Sequence, residues 1–322
     1  MKKIKSILML GLIIFSLSVY QIYRWSTYAG PLLESKNVVI GKGVGFGQVT
    51  YHLNKAGVIS KPRLFKILAR VLGVDKNIHT GEYVFDAHAS MIEVLDKIAS
   101  GDVYYRKLTL AEGLTTREFI LKINEAKGLK GEISLDVKEG ELLPETYSYE
   151  YGDSKDSVIL QAKLAMEKAL NKIWELKDAD LPIKNKEELL ILASIIEKET
   201  GVADERKKVA SVFVNRLEKR MRLQTDPTVI YAITNGKFEL NRSLRKKDLS
   251  TVSKYNTYKN YGLPIGPICN PGLDSLEAAA NPEITDFYYF VADGKGGHKF
   301  SKTLREHNNN VNEWLKSRKA KK

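Results

Sequence analysis

The chain has 322 residues, 43% of them apolar and 28% charged, with a formal net charge of +12. That length and balance suit one large or two ordinary globular domains and exclude a disordered or fibrous chain. One cysteine, Cys269, excludes an intramolecular disulfide and a thiolate metal cluster. The basic residues are spread along the chain, with clusters at Lys207-Lys208, Arg245-Lys246-Lys247 and Lys316–Lys322. They read as a solvated surface or as a surface for anionic lipid headgroups or a wall polymer. Nucleic acid is not indicated, because no finger, RNA-binding or basic-zipper pattern is present.

At the N-terminus, Lys2, Lys3 and Lys5 precede a run from Ile7 to Tyr23 without a charge, long enough to cross a bilayer as a helix. Basic residues before the run, and no comparable later span, predict a cytoplasmic tail (1–6), a transmembrane anchor (7–23) and everything else outside the inner membrane. A cleaved signal peptide is the rival, but Thr27-Tyr28-Ala29 is a poor cleavage site and the apolar run exceeds a signal core.

After a short polar stem, a small α+β module is predicted over 38–101. It comprises a strand at Val38–Ile40, helices over Phe46–Ala56 and Pro62–Leu72, a strand at Gly81–Phe85, and a helix Met91–Ile98 ended by Gly101. The glycines at 41, 43, 45 and 47 lack dinucleotide-binding spacing and mark a turn. A larger mixed α/β domain over 102–322 follows. Its predicted elements are a strand at Val103–Leu110, a capped helix at Thr116–Asn124, a long loop over Lys127–Glu150, and helices over Ser157–Leu176, from Asn185 to Thr200, and over Ala203–Arg220. The last third is dense in Tyr, Asn, Gly and Pro, with a strand at Phe287–Val291 and a turn at Asp293–His298. His298 and His307 have no partner at metal-ligand spacing, which argues against a metal site.

The helix ending at Thr200 is the most informative element. At about 100° per residue, Leu189, Leu192, Ile195 and Ile196 share one arc, and Glu199 falls in its middle, whereas Glu197 and Lys198 fall outside it. A carboxyl held against apolar neighbours has a raised pKa, as a general acid requires near neutral pH. The pattern alone leaves open a frayed, solvated helix end. Downstream, Leu223–Tyr231 and Tyr255–Tyr258 gather amide, hydroxyl, carboxylate and phenol groups, and Gly262–Pro267 forms a stiff loop after them. Sugars are bound by such sets, although each segment taken singly also reads as ordinary turn chemistry.

Ala193–Thr200, Leu223–Tyr231, Tyr255–Tyr258, Gly262–Pro267, Asn270–Gly272 and Phe290–Phe300 together resemble the endolytic murein transglycosylase family, and the likeness runs over nearly the whole chain. The resemblance implies an α+β protein with a membrane anchor, a LysM-like module and a catalytic domain that cuts peptidoglycan strands internally. It implies Glu199 as the catalytic acid; the Gln224–Tyr231 and Tyr255–Tyr258 clusters point to Gln224, Asp226, Tyr231, Asn256 and Tyr258 as the residues that bind substrate, and no motif indicates a metal or cofactor. Implied partners are glycan strands, the membrane and, in wall assembly, peptidoglycan synthases. The implied reaction breaks the bond between N-acetylmuramic acid and N-acetylglucosamine and leaves a 1,6-anhydro end, which could terminate nascent strands. A lysozyme-like hydrolase using Asp226 as second carboxylate, a non-catalytic glycan-binding scaffold and a small-molecule lyase are the alternatives.

Overall fold

The computed structural model describes residues 2–320. Met1 and Lys321-Lys322, the outer ends of the predicted cytoplasmic and basic tails, lie outside the described residues. The chain forms two compact units. One holds residues up to Lys107 together with Lys127–Lys130 and Ser148–Asp153; the other holds the remainder.

The first unit begins with α1 (Lys2–Thr27), within which Ile7–Thr27 is long and apolar enough to cross a membrane. Then come β1 (Lys36–Ile40), α2 (Phe46–Lys55), α3 (Pro62–Val71), β2 (Gly81–Phe85) and α4 (Met91–Ser100). The two strands pair antiparallel, Lys36 opposite Phe85 and Ile40 opposite Gly81. Leu53, Phe65, Tyr83, Val94, Leu95 and Ile98 make a fully enclosed core. α4 starts on a capping box, Ser90 with Glu93, and ends on Gly101 in the left-handed conformation at φ 71°. Boundaries agree with the sequence expectations to within about two residues, apart from an extra single turn at Val74–Lys76.

The predicted polar stem is not a free tether. Gly30 N–H donates to His88 O at 2.9 Å and His88 N–H to Leu32 O at 2.7 Å, and Leu32 is buried. Gly30 runs against Ala89 O so closely that a Cβ would collide with it.

In the second unit, α5 (Thr116–Glu125), α6 (Lys155–Glu175), α7 (Lys186–Glu199), α8 (Arg206–Glu218), α9 (Asp226–Thr234), α10 (Leu273–Ala280) and α11 (Leu304–Ala320) surround little sheet. β3 (Arg106–Thr109), whose first two residues belong to the first unit, pairs with β4 (Thr146–Tyr149), whose last two do, and β4 is a strand inside the stretch predicted as loop. β5 (Tyr289–Ala292) and β6 (His298–Ser301) form a hairpin around the glycine-rich turn.

α7 is the centre of this unit, packed against α6, α8, α9 and α10. Asn185 caps it by accepting Glu188 N–H at 2.8 Å, and Glu187 and Glu188 at its start and Lys198 near its end complement the helix dipole. The sequence suggests one apolar arc, but every residue from Leu189 to Ile196 is buried. A helix enclosed on all sides needs no polar face. Each large apolar side chain it buries contributes about 1.5–3 kcal/mol, so this helix is a rigid mount for its last residue.

Candidate active site

Glu199 is that last residue. Thr200 takes an extended conformation at φ −141° and stops the helix, and Gly201 follows. The Glu199 side chain faces a cavity of about 380 Å³. Burial is the main influence on its carboxyl and raises the pKa; the Thr225 hydroxyl bond lowers it, the Asp226 charge raises it, and His298 and Arg216 lower it. The outcome is a pKa of about 6, against an ordinary 4.5. Such a group can hold and release a proton near neutral pH.

Its hydrogen-bond partner is carefully held. Thr225 Oγ1 donates to Glu199 Oε1. Thr225 N–H donates to Thr257 Oγ1 at 3.1 Å, Thr228 Oγ1 donates to Thr225 O at 2.7 Å, and the Thr228 and Thr257 hydroxyls bond at 2.8 Å. All three threonines are buried, so two hydroxyls hold the Thr225 backbone and set its side chain beside Glu199. The neighbouring Gln224 sits at φ 50°, the left-handed region that costs a non-glycine residue about 1 kcal/mol or more, and its N–H donates to Thr257 O at 3.3 Å.

Asp226 opens α9, where a carboxylate is favoured at a helix N-terminus and Pro227 is preformed for the first turn. Tyr258 Oη donates to Asp226 Oδ1 at 2.6 Å. Burial, that bond and the charges of Asp226 and Glu199 all make the Tyr258 phenol a weaker acid than usual, so it remains a donor.

Arg216 is buried in the same cavity wall. Its Nε donates to Tyr288 O at 2.6 Å, its Nη1 donates to Leu223 O at 2.7 Å, and its guanidinium lies 5.3 Å from the centre of the Tyr289 ring. It thereby ties the turn before Gln224 to the β5 hairpin and leaves a positive charge facing Glu199. On the far strand of that hairpin, His298 Nδ1 and Glu205 Oε2 are 2.7 Å apart, and His298 N–H donates to Glu205 Oε1.

Four of the six residues named from the sequence therefore line one cavity: Glu199, Gln224, Asp226 and Tyr258. The other two are elsewhere. Asn256 is fully buried; its Nδ2 donates to Leu249 O and Thr251 O, and its Oδ1 accepts from Tyr258 N–H at 2.9 Å. It positions Tyr258 by the backbone. Tyr231 lies one and a half turns along α9 from Asp226, on a different face. Its ring is 4.7 Å from that of Tyr255, and its hydroxyl donates to Glu139 Oε2 at 3.1 Å. Glu197, expected off the apolar arc, is half-buried and accepts Gly272 N–H at 3.0 Å, just before α10. It has structural work that the arc argument does not anticipate.

Thr225, within the Leu223–Tyr231 cluster, and His307 also line the cavity, as do Arg216 and Tyr289, which escape the sequence reading. For Arg216 a signal was available: it follows Phe213 by three residues and Val212 by four, so it lies on the apolar stripe of α8 as Glu199 lies on that of α7. Among the described residues, no group of three or more His, Cys, Asp or Glu side chains could hold a metal ion.

The pattern of the YceG-like family matches residues 38–313, which takes in both units. A protein of Bacillus subtilis named endolytic murein transglycosylase is 33% identical, over 88% of this chain and 86% of its own length. A Streptococcus pneumoniae protein of the same name is 29% identical; the match covers 88% of this chain but 60% of that longer relative. A crystal structure of a yceG-like protein from Listeria monocytogenes superposes with a TM-score of 0.51 at 32% identity, over 86% of this chain and 99% of the other. Family pattern, relatives and solved structure agree over most of the length, and the chain belongs to the YceG-like family.

Proposed function

We propose that the protein is an endolytic peptidoglycan lytic transglycosylase, a lyase that cuts within glycan strands, and that Glu199 is its catalytic acid and base. The observation that carries the reading is a carboxyl with a pKa of about 6 at the rigid end of α7, facing an open cavity. The names of the relatives supply the substrate class.

In this reading, protonated Glu199 donates to the oxygen between N-acetylmuramic acid and N-acetylglucosamine as that bond breaks. Positive charge develops on the muramoyl C1, and the Asp226 carboxylate in the same cavity offsets it. The Glu199 carboxylate then takes the proton from the C6 hydroxyl, whose oxygen closes on C1 to give the 1,6-anhydro sugar. The Thr225 hydroxyl and the Arg216 charge stabilise the anion between these two steps. One carboxyl serves both, since no water needs activation. Gln224 and the Tyr258 hydroxyl supply polar contacts to sugar hydroxyl and acetamide groups.

α1 serves as a single-pass anchor in the cytoplasmic membrane, with the chain that follows it on the outer side. The order β1–α2–α3–β2, with its antiparallel pair, supports a LysM-like glycan-binding role for the first unit. Peptidoglycan synthases are partners in this scheme, which places the enzyme in wall assembly.

Because Asp226 lies in the cavity with Glu199, a retaining, lysozyme-like hydrolysis is the second reading. Mass analysis of muropeptides released from intact sacculi decides between them. Anhydromuramoyl ends are expected; reducing ends would establish hydrolysis, and intact strands would leave a scaffold.

A further inference from the structure

Away from Glu199, the first unit contains a cavity of about 260 Å³ where the end of α1 meets the following module. Gln21, Arg24 and Trp25 line it from α1, and Tyr28, the residue just beyond, lines it too, its N–H still bonded to Arg24 O at 2.9 Å. They follow one another at spacings of three, one and three, so they form a single stripe on one helix face. Ser60 and Lys61, just before α3, form the opposite wall, and Lys61 Nζ sits 3.5 Å from the centre of the Trp25 ring.

Three features mark this as a built site. The module is fastened to the helix end by the paired Gly30–His88 and His88–Leu32 backbone bonds, so its walls keep their spacing. No Asp or Glu lines it, and neither Arg24 nor Lys61 makes an ion pair among the described residues. Two cations thus face one small cavity without an acidic partner. Its height is also fixed by the span: the uncharged run from Ile7 to Tyr23 rises about 26 Å as a helix, close to the thickness of the hydrocarbon core. Arg24, Trp25 and Tyr28 therefore lie at headgroup level on the outer side, where basic residues are normally less frequent. Aromatic rings suit that level, and the unusual cations need an anion.

We propose that this cavity binds the phosphodiester headgroup of an anionic glycerophospholipid in the outer leaflet. Arg24 and Lys61 meet the phosphate, and Gln21 and Ser60 offer hydrogen bonds to the headgroup hydroxyls. A zwitterionic lipid would bring its own ammonium against two cations and is disfavoured. The proposal rests on the reading of α1 as a membrane span.

The test uses the full-length chain in phosphatidylcholine vesicles, with Trp174→Phe and Trp314→Phe leaving Trp25 as the only indole. Trp25 fluorescence is quenched by a small fraction of spin-labelled phosphatidylglycerol or, in a matched set, spin-labelled phosphatidylcholine. We expect the labelled phosphatidylglycerol to be enriched at Trp25 by about five-fold or more. Arg24→Gln with Lys61→Gln should remove that preference, and Lys42→Gln with Lys66→Gln, outside the cavity, should keep it. Equal quenching by the two lipids, or equal loss in both double variants, overturns the site while leaving the span intact. Displacement of the labelled lipid by added inorganic phosphate would overturn it in favour of a soluble phosphate. A chain that fails to float with the vesicles removes both the span and the site.

Discussion

The two ends of α9 each face a buried carboxyl, and the comparison separates a group that can cycle a proton from one that holds structure. At the N-terminal end, Thr225 and Asp226 face Glu199; further along, Tyr231 faces Glu139. Burial raises both carboxyls above the usual range. The difference lies in their partners. Glu139 accepts the N–H of Thr116 at 2.7 Å, at the start of α5, and so caps a helix with a donor that cannot reverse. Glu199 bonds a hydroxyl, which can turn to donate to the anion or accept from the acid. A raised pKa and a hydroxyl partner are common to both sites, Tyr231 for Glu139 and Thr225 for Glu199; of the two, Glu139 is also tied to a backbone N–H, which favours its anion and holds it in place.

The comparison would break first at Glu199→Gln. Glycan cleavage should fall about a hundred- to ten-thousand-fold, as measured by anhydromuropeptide release, with the circular dichroism spectrum unchanged. Glu139→Gln should stay within a few-fold of the parent. A parental rate in the first variant, or an equal collapse in the second, would remove the distinction.

Next comes Arg216→Ala, which strips donors from the carbonyls of Tyr288 and Leu223. Each carbonyl left unmade costs about 1–3 kcal/mol, so the melting temperature should fall by several degrees and activity with it. Arg216→Lys restores charge but not the fork, and should recover stability only in part.

Stability against pH tests the same carboxyl independently of catalysis. Glu199 binds its proton more tightly folded (about 6) than at its ordinary 4.5. Between those values the unfolded chain ionises first, so stability is lost as pH rises through the window and stays lower above it. Glu199→Gln removes this term. The variant should match the parent at pH 4 and exceed it at pH 8 by up to about 2 kcal/mol in chemical denaturation. A difference independent of pH would contradict the raised pKa.

The smallest effect should come from Tyr231→Phe, which removes one hydrogen bond worth about 0.5–1.5 kcal/mol. Cleavage should keep its pH profile. A loss comparable with that expected of Glu199→Gln would extend the glycan site along α9 to Tyr231.

Elements with local signatures were legible in the sequence. Asn185 as a cap, Gly101 as a stop, Pro62 in a first turn and the Thr115–Glu118 box all mark helix ends in the structure. Glu199 was legible because three- and four-residue spacing puts it among apolar neighbours whatever packs there. What remained hidden depends on partners distant in sequence. β4 is a strand because β3 lies beside it, and nothing local to the loop says so. Tyr231 and Asp226 share a segment but face opposite ways, because helix rotation over five residues turns one side chain away. Asn256 has the composition of a sugar ligand, yet its amide is consumed by backbone carbonyls only tertiary folding brings near. α10 and α11 were not anticipated: α10 is only 8 residues long inside a motif-dense segment, and α11, at 17 residues, is mostly polar and shows no strong apolar stripe.

Cys269 has a practical consequence. The thiol is fully buried, bonds Ser194 O at 3.3 Å, and burial pushes its ionisation well upward. A thiol that neither ionises nor meets solvent does not react with oxidants or maleimides. The chain therefore behaves, toward labelling reagents, as though it had no cysteine at all. A single cysteine placed at the rim of either cavity can carry a fluorophore or a cross-linker in an otherwise native protein, with no background from the natural residue.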